Sequence, residues 1–171
     1  GSRCLYWSKA EQMNINEKAI EVRDLHGHYG PSHVLHGIDF SVASGQVATL
    51  LGRNGAGKTT TLRAIMGLLR QRSGSVRING SETVGLVPEH IAALGIAYCP
   101  EERGIFPSLN VRENLMLPPV LMPGGFSTEE VVALFPRLAE RFSSPGTKLS
   151  GGEQQMLAIA RILRTGCRIW L

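Results

Sequence analysis

Gly52-Arg-Asn-Gly-Ala-Gly57-Lys58-Thr59 constrains the fold of this chain more than any other stretch. It matches the pattern G-x-x-x-x-G-K-[ST], which works only after a buried strand and at the mouth of a helix. Both contexts are predicted: residues 46–51 read as a short buried parallel strand, and residues 58–69 as a helix. The glycines let backbone N–H groups curl around phosphate oxygens, and the helix N-terminus adds unpaired donors and a partial positive charge. Lys58 is placed to neutralise β and γ oxygens, and the Thr59 hydroxyl to ligate Mg²⁺. The expected phosphate-binding set is Arg53, Asn54, Gly55, Ala56, Gly57, Lys58, Thr59 and Thr60. Unrelated nucleotide-binding proteins share this loop, so it points to phosphate binding rather than to one function.

A second helix start carries the same chemistry. Leu149-Ser-Gly-Gly-Glu-Gln-Gln155 opens the last predicted helix, residues 150–165, so Ser150 and the amides of Gly151 and Gly152 form another anion-binding end. Ser150 as N-cap and Glu153 as its reciprocal partner also form a capping box, and the two readings are compatible. Met156, Ile159, Ala160 and Leu163 are expected to form the apolar face of this helix, Gly166 its stop, and residues 169–171 the start of a further apolar strand.

The remaining pattern is α/β. Apolar alternation from Ile20 to Val42, punctuated by Gly30-Pro31 and Ser44-Gly45, predicts antiparallel strands. Residues 75–79 read as a strand, 88–94 as a short helix, and 95–99 as a second buried strand ended by Pro100. Asn110 is expected to cap a helix over 111–117, and Ser127 to open one that runs through Arg141. An inserted helical subdomain of about residues 108–165 follows from that run.

At 171 residues, with 43% hydrophobic and 19% charged, the chain suits one globular domain. The net charge of +4 comes from scattered rather than clustered Lys and Arg, so nucleic acid is not an expected partner. Cys4, Cys99 and Cys167 are odd in number and lack ligand spacing, which implies neither a disulfide framework nor a zinc site. No stretch approaches the ~20 apolar residues that cross a bilayer. Residues 1–18 are expected to be a leader or an expression-derived tail, with Gly1-Ser2 resembling a protease-cleavage scar and Met13 a native start. His26, His28, His33 and His36 have spacings that do not place three on one face of a strand or helix, so they read as surface or turn residues. His90 has no evident partner, and no metal other than Mg²⁺ is expected.

The phosphate loop, followed about ninety residues later by Leu149-Ser-Gly-Gly-x-Gln154, resembles the ATP-binding cassette (ABC) ATPases, over about residues 20–171. Tyr98-Cys-Pro-Glu-Glu-Arg-Gly-Ile-Phe106 and Leu134-Phe-Pro-Arg-Leu138 look most like the ATPases of bacterial branched-chain amino acid uptake systems. The resemblance implies a P-loop NTPase cassette with an antiparallel β subdomain, a parallel-sheet core and an inserted helical subdomain, binding ATP and Mg²⁺. It implies that Tyr29 stacks on adenine. Glu101 falls where most members have a Gln that contacts Mg²⁺ and senses the membrane subunits. Ser150, Gly151, Gly152 and Glu153 would act in trans on the nucleotide of a second cassette, in a head-to-tail homo- or heterodimer. Integral membrane permease subunits are the other implied partners, which places the protein peripherally at the cytoplasmic face of the cell membrane without inserting into it.

Members of the family carry an Asp-Glu pair beyond the signature helix, and a later switch His, that have no counterpart here. The expectation is therefore a partial cassette that binds ATP without turnover and exposes sheet edges. Two rival readings stand beside it: a non-catalytic nucleotide-binding fragment or paralogue, and a DNA-repair-type cassette ATPase. The second is disfavoured because the insertion between the motifs is short and lacks heptads and cysteine pairs.

Overall fold

Residues 17–171 are described by a computed structural model, and they divide at Leu86/Val87 into two units. The expectation of a tail falls, up to residue 16, outside the described residues; Lys18 already belongs to the first strand.

The first unit is built on an antiparallel sheet of strands β1 (Lys18–Tyr29), β2 (Ser32–Ala43), β3 (Gln71–Ile78) and β4 (Ser81–Glu82), in the order β2-β1-β3-β4. Ile20, Val22 and Leu25 of β1, Leu35 of β2 and Val76 and Ile78 of β3 are buried, as alternation along half-buried strands requires. Gly30, at φ 56, turns β1 into β2. Four register shifts interrupt the hairpin, and two of them bear on the side chains discussed below. The register slips between Val22 and Leu25, where Asp24 adopts a left-handed φ of 45, and again between Gly27 and His28, where two residues of β1 face three of β2.

Helix α1 (Lys58–Ile65) buries Thr61, Ala64 and Ile65. It stops short of residue 69 because Gly67 takes the left-handed φ of 74 that ends helices. The chain then enters β3 at Gln71, four residues before the predicted start. Arg72 secures this junction, its guanidinium donating to the carbonyls of Leu69 (3.1 Å), Thr83 (3.1 Å) and Leu86 (2.8 Å).

The predicted strand at 46–51 does not form: these residues belong to no strand or helix, and Val47 and Leu51 are 97% and 88% exposed. A central parallel strand is held by ladder bonds to both sides and apolar cover on both faces. Among the described residues, no strand pairs with this one. The parallel part of the fold is instead carried by β5 (Ile96–Ala97) and β6 (Ile169–Trp170) in the second unit. Cys99 N–H extends the pair by donating to the Leu171 carbonyl at 2.8 Å.

The second unit also holds α2 (Pro88–Ala92), α3 (Val111–Met116), α4 (Thr128–Leu134), α5 (Pro136–Glu140), a 3₁₀ turn (Gly146–Lys148) and α6 (Gly151–Thr165). Its core is Val111, Leu115, Val131, Leu138, Leu149, Leu157 and Ala160. The helix expected to run from Ser127 through Arg141 is two helices, because Pro136 has no N–H and pushes Phe135 to a φ of −127 and ψ of 71. The buried face of α6 also differs from the expected one: Leu157, Ala158, Ala160 and Leu163 point inward, Met156 is half-buried and Ile159 is 37% exposed. Of the four expected residues only Ala160 and Leu163 are buried, because the cover from α3, α4 and α5 falls on the Leu157 side. Among the described residues, no helix is long and apolar enough to cross a membrane.

This corrected face has a measurable consequence. Leu157→Ala leaves a cavity among fully buried neighbours and is expected to cost on the order of 2–5 kcal/mol in chemical denaturation, whereas Ile159→Ala should cost less than about 1 kcal/mol.

Candidate functional site

The phosphate loop occupies residues 52–57 and ends on the N-cap of α1. Gly55 and Gly57 have φ of 83 and 89, a region that L side chains rarely adopt, and a Cβ on Gly57 would also press on Leu35 at 3.2 Å. The backbone can curl only because these positions are glycine. Helix α1 begins with no side-chain cap and no acidic residue in its first turn. Its leading N–H groups, on Lys58, Thr59 and Thr60, thus keep their donor capacity, and nothing offsets the positive end of the helix dipole.

Lys58 reaches back across the loop and donates to the carbonyls of Gly52 (2.8 Å) and Arg53 (2.9 Å). That holds an ammonium over the concave side of the loop. Thr61, one turn in, locks the cap by donating its hydroxyl to the Gly57 carbonyl at 2.9 Å. Arg53, Asn54, Gly55, Ala56 and Thr59 are exposed and Thr60 is half-buried, so the set expected from sequence stands on one accessible loop and helix start. These residues fit a di- or triphosphate with its cation: backbone donors, one fixed ammonium, and a hydroxyl at the helix mouth. Tyr29, in the same unit, ends β1 at the hairpin turn with 46% of its surface exposed, available as a stacking face rather than used in the core.

The second helix start is finished differently. Ser150 caps α6: its Oγ accepts from Glu153 N–H (3.3 Å), while Glu153 Oε2 accepts from Ser150 N–H (2.8 Å). Gly151 and Gly152 are exposed, and a Cβ on Gly152 would meet nothing within 4 Å, so an open face remains at this end. The Ser150 N–H, then the Ser150 hydroxyl and the nearby Arg141, hold the Glu153 carboxyl below its usual value.

Sequence reasoning did not single out Arg103, which lies beside this motif. Its guanidinium donates to Gln154 Oε1 at 2.9 Å and lies 3.6 Å from where a Gly151 Cβ would be, while Gln154 Nε2 donates to the Leu149 carbonyl at 3.2 Å. The turn after β5 makes this contact by placing Arg103 at a left-handed φ of 62. A positive-φ arginine is not signalled by residue type, although the neighbouring Gly104, at φ 56, marks the tight turn. Glu101 is exposed on the same turn.

The histidines correct the sequence reading. His26, His28, His33 and His36 do gather on one face: His28 and His33 rings stack at 4.2 Å, His33 and His36 lie at 4.0 Å, and His26 and His33 at 5.1 Å. On a regular strand His33 and His36 would face opposite ways. The slip between Gly27 and His28 inserts an extra β2 residue between the pairs His28↔His33 and His26↔His36, which puts them together.

Comparison with known proteins adds to this geometry. A family model described as "ABC transporter" matches residues 35–171. The high-affinity branched-chain amino acid transport ATP-binding protein BraG of Pseudomonas aeruginosa is 41% identical over 153 residues, 84% of this chain and 63% of that protein. The ribose import ATP-binding protein RbsA of Bacillus subtilis is 34% identical over 88% of this chain and 32% of its own length. A solved structure of the ATP-binding subunit of an ABC transporter superposes with a TM-score of 0.68 at 36% identity, covering 85% of this chain and 62% of that one. The chain thus spans less than two thirds of the length of these relatives.

The Glu153 cap makes a pH prediction. Its native value lies below the ordinary 4.5, so its contribution to stability is complete above about pH 4.5 and is lost as pH falls through the lowered native value. Chemical denaturation followed from neutral pH to about pH 3 should show this acid loss reduced in Glu153→Gln, and Ser150→Ala should cost ~1 kcal/mol at neutral pH.

Proposed function

This chain belongs to the ABC transporter ATPase family, and from that premise we propose that it is the ATP-binding part of an importer subunit. The observation that carries this reading is the uncapped start of α1 behind a left-handed glycine loop, with Lys58 held over it. Support for the importer role comes from the likeness to BraG and RbsA, whose names give transport of branched-chain amino acids and import of ribose. Branched-chain amino acids are the proposed cargo, on the higher identity to BraG and on the segments around Pro100 and Pro136.

In this reading the N–H groups of residues 55–60 and the Lys58 ammonium bind the β and γ phosphates of ATP. The Thr59 hydroxyl holds Mg²⁺, whose bound charge screens the phosphates from one another. Tyr29 orients the base by stacking. The Ser150–Gly152 end, with Glu153, faces the nucleotide of a second cassette, and the helical segment around α3–α5 meets permease subunits at the cytoplasmic face of the membrane.

Hydrolysis needs a group that positions and polarises the attacking water beside the γ phosphate. Residues 52–60 contain no carboxylate, and we place no base elsewhere in these 171 residues. They are proposed to bind ATP without turning it over.

Excess Mg-ATP should therefore raise the thermal unfolding midpoint, by the equivalent of about 2.7 kcal/mol at one hundred times Kd. Lys58→Ala should abolish the rise without lowering the midpoint of the free protein by more than a few degrees. No rise in the unsubstituted chain would remove the nucleotide-binding role proposed here.

A further inference from the structure

The four gathered histidines lie outside the phosphate loop and the α6 start, and the nucleotide reading gives them no task. Two of them present a donor pair. His26 Nδ1 and His33 Nε2 stand 3.0 Å apart. His26 Nε2 is 3.0 Å from Asp24 Oδ1. A carboxylate only accepts, so Asp24 takes the His26 Nε2–H, and His26 Nδ1 then accepts the His33 Nε2–H, the proton that a bound metal ion would displace to solvent. That is the outer-shell arrangement in which a carboxylate fixes the tautomer and orientation of a ligating imidazole. The orientation is built into the backbone: Asp24 sits at the left-handed bulge of β1, and its own N–H donates to Asp39 Oδ1 at 3.1 Å.

We propose that His26 and His33 form an open two-nitrogen site for a divalent transition metal, Cu²⁺ or Ni²⁺, with Asp24 as the orienting partner.

Two imidazole nitrogens freed of the proton between them suit Cu²⁺, and after it Ni²⁺, which stand high in the order of divalent-metal affinities for nitrogen ligands. Among the described residues no three His, Cys, Asp or Glu side chains form a closed ligand set, so water completes the coordination. His36, whose ring centre is 4.0 Å from that of His33, is the nearest further imidazole. A metal held there ties β1 to β2 just below the hairpin turn that carries Tyr29.

Cu²⁺ titration of the full chain at about pH 7.5, read by calorimetry and by the nitrogen splittings in its electron paramagnetic resonance spectrum, tests this directly. One more Cu²⁺ per chain is expected than in the His26→Ala/His33→Ala double variant, with a two-nitrogen signal that the variant lacks. Asp24→Asn is expected to weaken that ion about tenfold, and His90→Ala to leave it unchanged. Equal stoichiometry and an equal spectrum in the double variant would overturn the proposal. All the substituted side chains lie on the exposed face of the hairpin or on α2, and matching circular dichroism spectra would establish that each variant is folded.

Discussion

The first turn of an α-helix must leave backbone N–H groups without intrahelical partners, and this chain treats its two main helix starts in opposite ways. Helix α1 begins on a left-handed glycine with no side-chain cap and no acidic residue in its first turn, so its donors stay open to an anion. Helix α6 satisfies two of its donors internally through Ser150 and Glu153 and relies on exposed glycines for what remains. The difference divides the labour. The first end keeps its donors open beside Lys58, and the second is closed by its own Ser150 and Glu153 while Gly151 and Gly152 stay exposed.

Much of this was legible because glycine, serine and proline act locally. The phosphate loop, the Asn110, Ser127 and Ser150 caps and the Gly166 stop were all readable from residue type, and each appears where a backbone angle or a terminal donor demands it. What could not be read depends on partners distant in sequence. Residues 46–51 carry the apolar run of a buried strand, but such a strand exists only where neighbours complete its ladder. Two of the four residues expected on the buried face of α6 were wrong because helical periodicity gives a stripe a hundred degrees wide, and the packing helices choose within it. Arg103 was missed for a related reason: its contact with Gln154 joins residues 51 apart through a left-handed turn.

The histidines show the limit of period-two reasoning most clearly. One extra residue in β2 changes which side chains share a face, and no composition rule announces it. The bulge also carries consequences along the hairpin, since Asp24 and Tyr29 lie on the same strand as His26 and His28. Irregularities of this kind re-aim side chains, and here two irregular positions create a donor cluster beside the candidate stacking residue.

Everything proposed about nucleotide rests on the donors at residues 55–60 meeting phosphate. Amide hydrogen exchange with and without Mg-ATP tests that contact residue by residue. Protection confined to residues 52–61, with a smaller effect near Tyr29 and none in Lys58→Ala, is the expected result. Protection that spares residues 52–61, or that persists unchanged in Lys58→Ala, would contradict it.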